Sequence, residues 1–363
     1  MPSSQNQPKS FSEFTRRTWA VIGATAAAAI VLLIIWRLTF VLLLLLAGVL
    51  IAVLLRGLAR PLASRLPGGD GWALLAVIVI VILVLGAVGS LMAPRVSDQI
   101  QSLVETLPVA FESTQAYLEG REWGAWIIER VPEPEQLGAV NTEGLLTNFF
   151  GVFATTLGAL ANVLFILALG VYLALNPSVY WKGIVLLVPP KQRPRAEEVV
   201  LSMGSHLWTW LKGQFVMMVV VGTLTGIGLS IAGVPLALAL GVIAGLFEFV
   251  PIVGPFAAAV PGIIVALAHS PTTALYAIIV YIVVQQLEGN LLTPLVMRQM
   301  VSLPPALTLS ATIIAGVMFG LPGVLLATPL ALLVVILVRE VYINDLLGDS
   351  LPPVPHYGGP KKS

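Results

Sequence analysis

Residues 236–268 read LALALGVIAGLFEFVPIVGPFAAAVPGIIVALA, 33 residues carrying a single charge, Glu248. As one helix this run would be about 50 Å long at 1.5 Å per residue, against a bilayer hydrocarbon layer of about 30 Å. A run this apolar belongs in lipid, and a run this long cannot cross it once as an upright rod. It must break, tilt steeply or turn back. The breakers are in the sequence. Phe247-Glu248-Phe249-Val250-Pro251-Ile252-Val253-Gly254-Pro255 sets two prolines four residues apart around a glycine. Each proline removes a backbone donor and clashes with a preceding carbonyl. Residues 304–338, 35 residues long, are interrupted in the same manner by Phe319-Gly320-Leu321-Pro322-Gly323. Both breaks follow a Gly-xxx-Gly step, Gly241/Gly245 and Gly316/Gly320, a weak internal likeness.

The rest of the chain has the same solvent. Hydrophobic residues make up 58% and charged residues 10%, with a mean hydropathy of +0.96. A soluble domain carries about 25% charged residues. The fold class that follows is an all-α polytopic membrane protein, because helices satisfy every backbone group within the segment. The net charge of +1 provides no basic field for nucleic acid, so no nucleic-acid partner is expected. There is no cysteine, and His206, His269 and His356 are scattered, so no metal site, thiol chemistry or cofactor is expected.

Further apolar runs occupy residues 19–36, 38–55, 72–94, 149–176 and 211–232. The run Trp19–Trp36 exceeds a signal-peptide core of about 7–15 residues and reads as a retained first helix. Trp19, Trp36, Trp72, Trp208 and Trp210 sit at or near run ends, the interfacial level that tryptophan prefers. The connecting segments alternate in charge. Residues 1–18 hold Lys9, Arg16 and Arg17; residues 56–71 hold Arg56, Arg60 and Arg65; residues 177–210 hold Lys182, Lys191, Arg193 and Arg195. These basic segments are assigned to the cytoplasm. Residues 95–148 carry three arginines and nine acidic residues, a net of −6, and are assigned outside. The expected organisation is a cytoplasmic N-terminus (1–18), three N-terminal transmembrane helices (19–94) and an extracytoplasmic acidic helical segment (95–148). A transport core with broken helices follows (149–338, with a cytoplasmic loop at 177–210), then a cytoplasmic, largely disordered tail (339–363).

Non-helical backbone at membrane depth survives only where protein or a wet cavity covers it. Broken helices also present free N–H and C=O groups and dipole ends to a solute. The two breaks therefore mark the candidate pathway, the competing reading being kinks that only shape packing. Glu248 lies three residues before Pro251. A carboxylate costs at least about 2.5 kcal/mol at the bilayer centre, so Glu248 must face a cavity, pair, take a proton, or reach headgroup water at an interface. It is the candidate carrier of a coupling proton or cation. A second polar cluster is Gln285, Gln286, Glu288 and Asn290, ahead of Pro294. On a helix, Gln285 shares a face with Glu288, and Gln286 with Asn290. These groups serve either a polar solute or interhelical bonding. Gly222/Gly226, Gly241/Gly245 and Gly316/Gly320 are expected to permit close helix approach.

These same stretches carry a family resemblance. Pro251, Gly254 and Pro255, with Pro261 beyond, resemble the autoinducer-2 exporter family, a permease-like family of membrane proteins. So do Gln286-x-Glu288-x-Asn290-x-x-x-Pro294 and the sequence from Leu303-Pro304-Pro305 through Gly316, Gly320, Gly323 and Pro329-Leu330. The resemblance covers roughly residues 15–345. It departs at Met297-Arg298-Gln299-Met300, where a small, glycine-containing turn is expected. The resemblance implies about eight transmembrane helices, two broken or re-entrant helical hairpins in the C-terminal half, and a homo-oligomer. The localisation expected is the bacterial inner membrane, multi-pass, with both termini cytoplasmic from the basic segments and the number of crossings. Members are associated with export of autoinducer-2, and some with exchange of sodium or lithium for protons.

The function expected is a secondary transporter or permease for a small polar solute, such as autoinducer-2 or a related signal, coupled to protons or sodium. The alternatives are a passive pore and a sodium/proton antiporter. The candidate solute and ion pathway comprises Glu248, Pro251, Gly254, Pro255, Gln285, Gln286, Glu288, Asn290, Pro294, Gly320, Pro322 and Gly323. No phosphate-binding Gly-x-x-x-x-Gly-Lys-[Ser/Thr] loop is present, so ATP hydrolysis by this chain is not expected. No aspartate lies between Asp98 and Asp345 and His269 has no sequence partner, so an intramembrane enzyme is not expected.

Overall fold

The computed structural model describes residues 38–65, 69–84, 156–297 and 303–348, with residues 86, 87, 90, 98, 99, 101 and 102 between them. The predicted span Trp19–Trp36, most of the acidic segment and residues 349–363 lie outside the described residues. All regular structure among the described residues is helical. We number the helices α1 (Leu38–Ala63), α2 (Gly69–Val84), α3 (Thr156–Leu175), α4 (Pro177–Leu186), α5 (Arg193–Ile231), α6 (Ala237–Phe247), α7 (Val253–His269), α8 (Pro271–Leu287) and α9 (Pro305–Leu337).

Helices α1, α2 and α3 pack through small side chains, Ala52, Ala59, Ala73 and Ala174 among them. Arg56 locks the group. Its Nε donates to the Ala174 carbonyl at 2.6 Å, Nη2 to the Leu175 carbonyl at 3.0 Å, and Nη1 to Asp70 at 3.1 Å. A cation on the orphan carbonyls at the end of α3 also opposes the negative end of its dipole. Arg56→Ala is therefore expected to lower stability by about 1–3 kcal/mol, the range for hydrogen bonds to charged groups. Thermal unfolding of the purified protein is the check, and an unchanged midpoint would remove this role.

Residues 177–210, expected as a loop, are largely helical. Helix α4 turns 83° from α3 at Asn176, and a short 3-10 turn, Pro190–Gln192, leads into α5. Helix α5 has 39 residues, about 58 Å, and so projects well beyond a hydrocarbon layer of about 30 Å. Hydropathy marked only its lipid-length part, because polar residues break a span pattern without breaking a helix. The tail boundary at 338 also falls inside a helical stretch, since Val338–Leu346 is π-helical. Arg195 of α5 holds it, with Nη2 2.8 Å from Glu340 and Nε 3.0 Å from Asp345.

Both over-long runs are broken. In the first, α6 has 11 residues and α7 has 17, about 16 and 25 Å, each too short to cross alone. In the second, Gly320 adopts φ 66°, ψ −149°, a region open essentially to glycine. It splits α9 into α9a (305–319) and α9b (321–337). These arms fold back on each other: a β-carbon placed on Gly323 would collide with the carbonyl of Ala315, and one on Gly316 would lie 2.9 Å from Val324 Cγ2. Residues eight apart on a straight helix are about 12 Å apart. The C-terminal half thus holds two helical hairpins, as expected.

Candidate functional site

Helix α5 is the spine of the site. Its glycines Gly222 and Gly226 face Gly241 and Gly245 of α6. A β-carbon on Gly222 would lie 2.9 Å from the Gly241 carbonyl oxygen and 2.9 Å from the Gly245 Cα. The two Gly-xxx-Gly faces bring backbone against backbone, the small-residue packing expected within lipid. The third pair behaves differently. Gly316 meets Val324 within its own hairpin, and Gly320 is the turn itself with nothing within 4 Å of its β position; the reason is the reversal at Gly320.

This zipper sets α6 antiparallel along α5 and delivers the end of α6 to Gln214 and Trp210. Gln214 Nε2 donates to the Glu248 backbone carbonyl. Trp210 meets Phe249 edge to face, with ring centroids 5.7 Å apart. Phe319, at the tip of the second hairpin, packs against the same apolar cluster as Phe249, around Leu207, Trp210 and Leu211. The first hairpin opens at the C-terminal end of α5, where residues 232–236 connect α5 to α6. The second opens toward its N-terminal end, where Arg195 grips Glu340 and Asp345. The two hairpins therefore enter the bundle from opposite ends, and both tips pack against the apolar cluster that Leu207, Trp210 and Leu211 of α5 help to build.

The turn of the first hairpin is strained. Ile252 has φ 70°, ψ −60°, and the Val253 N–H donates to the Pro251 carbonyl at 2.9 Å. This is the rare γ-turn of positive φ, here centred on a β-branched residue. Gly254 follows because any side chain there would collide with the Phe247 carbonyl. Ile252→Gly is expected to be more stable than Ile252→Ala by about 1 kcal/mol, reversing the usual order, because alanine keeps the strain and glycine does not. Unfolding midpoints of the two variants are the check; alanine above glycine would mean the turn is unstrained.

Glu248 is buried, 2% exposed, and does not reach outward. Its carboxyl faces that of Glu288, 40 residues later. Glu288 begins the π-helical turn Glu288–Leu292 that continues α8 and accepts from Gln285 Nε2 at 2.9 Å. Among the described residues no Lys or Arg forms an ion pair with either carboxylate. Glu248 Oε2 and Gln214 Oε1 are buried with no hydrogen-bond donor among the described residues. Two facing carboxyl groups share a hydrogen bond only when one carries a proton, and otherwise repel unless a cation joins them.

A cavity of about 190 Å³ adjoins this pair, lined by Glu288, Gln285, Pro255, Tyr281 and Thr225 together with apolar side chains. Of the sequence candidates, Glu248, Gln285, Glu288 and Pro255 come together here, with Pro251 and Gly254 shaping the turn. Asn290 donates to Gln286 at 3.0 Å, but both are exposed on the other side of α8. Pro294 is exposed beyond the π-helical turn. Gly320, Pro322 and Gly323 build the second hairpin and do not line the cavity. Sequence reading missed Gln214, Thr225, Tyr281 and Ile252. Gln214 had a signal, being the one amide in α5; the others had none.

The family model for AI-2E family transporters matches residues 25–343. The chain is similar to YueF of Bacillus subtilis, named as a provisional transport protein, with 28% identity over 74% of this chain and 76% of YueF. It is similar to YrrI of the same organism, also named as a provisional transport protein, at 25% identity over 77% of this chain and 82% of YrrI. PerM of Escherichia coli, named as a provisional permease, shares 28% identity over 48% of this chain and 53% of PerM.

Proposed function

This chain belongs to the AI-2E family of transporters, and we propose that it is a secondary transporter in which the Glu248–Glu288 pair couples movement of a small solute to protons. The observation that carries this reading is the pair itself: two carboxyl groups from separate elements, one of them buried, facing each other with no basic partner among the described residues. In a medium of low dielectric such a pair loses its double negative charge only by taking up protons or cations. Its occupancy therefore biases how the α6–α7 hairpin sits against α8, and a ligand bound better in one arrangement shifts the population toward it. The hairpins entering from opposite ends provide one barrier toward each side of the membrane, with the apolar cluster that receives Phe249 and Phe319 between them.

In this reading the chain works in the bacterial inner membrane with both termini in the cytoplasm, exports a small polar solute such as autoinducer-2 or a related signal, and assembles as a homo-oligomer. It performs no catalysis and requires no cofactor. The carboxyl pair also favours a second reading, exchange of sodium for protons without an organic solute. A passive pore is disfavoured because a neutralisable pair adds nothing to diffusion. Proteoliposomes test the proposal: solute efflux is expected to accelerate when a pH or sodium gradient is imposed and to slow when an ionophore collapses it. Flux that ignores both gradients would leave a pore.

A further inference from the structure

The cavity beside Glu288 has a composition that narrows the solute. Its body is apolar, with Ala259, Ile263 and Ile278 among its walls, and its polar groups are Gln285, Glu288, Thr225 and Tyr281. Tyr281 is engaged, its hydroxyl donating to the Ala258 carbonyl at 3.4 Å, and Gln285 donates to Glu288. What remains for a ligand is the Glu288 carboxylate with the Gln285 amide oxygen and the Thr225 hydroxyl, acceptors of which one carries a negative charge. Phe256 and Ile282, also in the wall, are 70% and 55% exposed, so the cavity opens onto the apolar outer surface of the bundle. An apolar cavity of about 150 Å³ takes benzene; one of about 190 Å³ takes a body little larger than a six-membered ring.

Resting on the transporter reading above, we propose that the solute held in this cavity is a small organic ammonium ion. Its compact apolar body lies among Ala259, Ile263 and Ile278, and its cationic head lies at Glu288. Such an ammonium takes the place of a polyhydroxylated solute, autoinducer-2 included, whose hydroxyls would lose water against a largely apolar wall. A bare metal cation leaves that wall unused. An ammonium with a ring-sized body uses both ends, and its charge offsets a carboxylate that no Lys or Arg of the described residues pairs with.

The test uses the purified full chain and four compounds: cyclohexylammonium, cyclohexanol, methylammonium and glycerol. Cyclohexylammonium is expected to raise the unfolding midpoint at concentrations about tenfold below those at which any of the other three acts, since cyclohexanol lacks the charge contact, methylammonium lacks the apolar body and glycerol lacks both, and about 1.4 kcal/mol from either sets a factor of ten. Glu288→Gln is expected to weaken cyclohexylammonium about tenfold and leave cyclohexanol unchanged. Ala259→Phe, which fills the cavity, is expected to abolish both effects; each variant is first shown to unfold cooperatively without ligand. Cyclohexanol matching cyclohexylammonium would overturn the proposal in favour of an apolar pocket, filled in the bilayer by an acyl chain. Methylammonium matching it would overturn the proposal in favour of a simple cation site. No response in detergent, together with no uptake of cyclohexylammonium in proteoliposomes, also overturns it. Gradient-driven flux of another solute would then leave the transporter reading standing. Binding of cyclohexylammonium without gradient-driven flux of any compound would sustain the site and overturn the transporter reading.

Discussion

Glu248→Gln is expected to lower gradient-driven flux in proteoliposomes by about tenfold or more, because losing a coupling free energy of about 1.4 kcal/mol already costs that factor. The substitution is nearly isosteric. The hydrogen bond from Gln214 goes to the Glu248 backbone carbonyl and survives it, as does the Trp210–Phe249 contact. Removing an ionisable group from a site 2% exposed takes away a desolvation cost, so the unfolding midpoint is expected to stay or rise. Loss of transport with retained stability is therefore the signature of a coupling group. Glu288→Gln is expected to do the same, and the double variant to be no worse than either single one, as for two residues acting as a unit. A Glu248→Gln protein that kept the wild-type rate and its pH dependence would sink the coupling role.

Gly241→Val is expected to destabilise the protein by about 3 kcal/mol or more, beyond the usual range for a surface change. A β-carbon there would lie 2.6 Å from the Gly226 Cα, 2.9 Å from the Gly226 nitrogen and 2.9 Å from the Gly222 carbonyl oxygen. These are backbone atoms of α5, and no rotamer change moves them aside. Helix α6 must slide or lift away, taking Glu248 from Glu288 with it. The folded yield and the unfolding midpoint should fall, and the folded fraction should not transport. Gly204→Ala is the matched control on α5. Nothing lies within 4 Å of a β-carbon there, so alanine is expected to be neutral or to stabilise the helix by up to about 1 kcal/mol. Equal behaviour of the two variants would show that the glycine zipper does not set the position of α6.

The hairpins illustrate what local chemistry discloses. Pro251, Pro255 and Pro322 lack backbone donors wherever they stand, and no tertiary arrangement restores them. A break near each was readable before any fold was known. The shared faces Gln285–Glu288 and Gln286–Asn290 were readable for the same reason, since helix periodicity is local. The π-helical register of Glu288–Leu292 was not, because it depends on what α8 packs against. The strain at Ile252 was hidden too: nothing in a β-branched residue announces a positive φ, and only the closure of the hairpin imposes it. The helix through residues 193–210 was missed because hydropathy measures the solvent of a segment rather than its backbone.

The sequence by itself determined that this chain lives in lipid, that its two longest apolar runs cannot cross as single upright helices, and that Glu248 and Glu288 needed an explanation. Apolarity, proline chemistry and the cost of a carboxylate in hydrocarbon are properties of residues and short segments. The tertiary structure alone decided that those two carboxyl groups face each other, that Gln214 holds the backbone of Glu248 at the first hairpin's turn, and that both hairpin tips pack against one apolar cluster. Contacts across 40 residues depend on how far one helix slides along another, here set by four glycines that were readable as close-approach positions but not as partners of one another until α5 and α6 lie side by side.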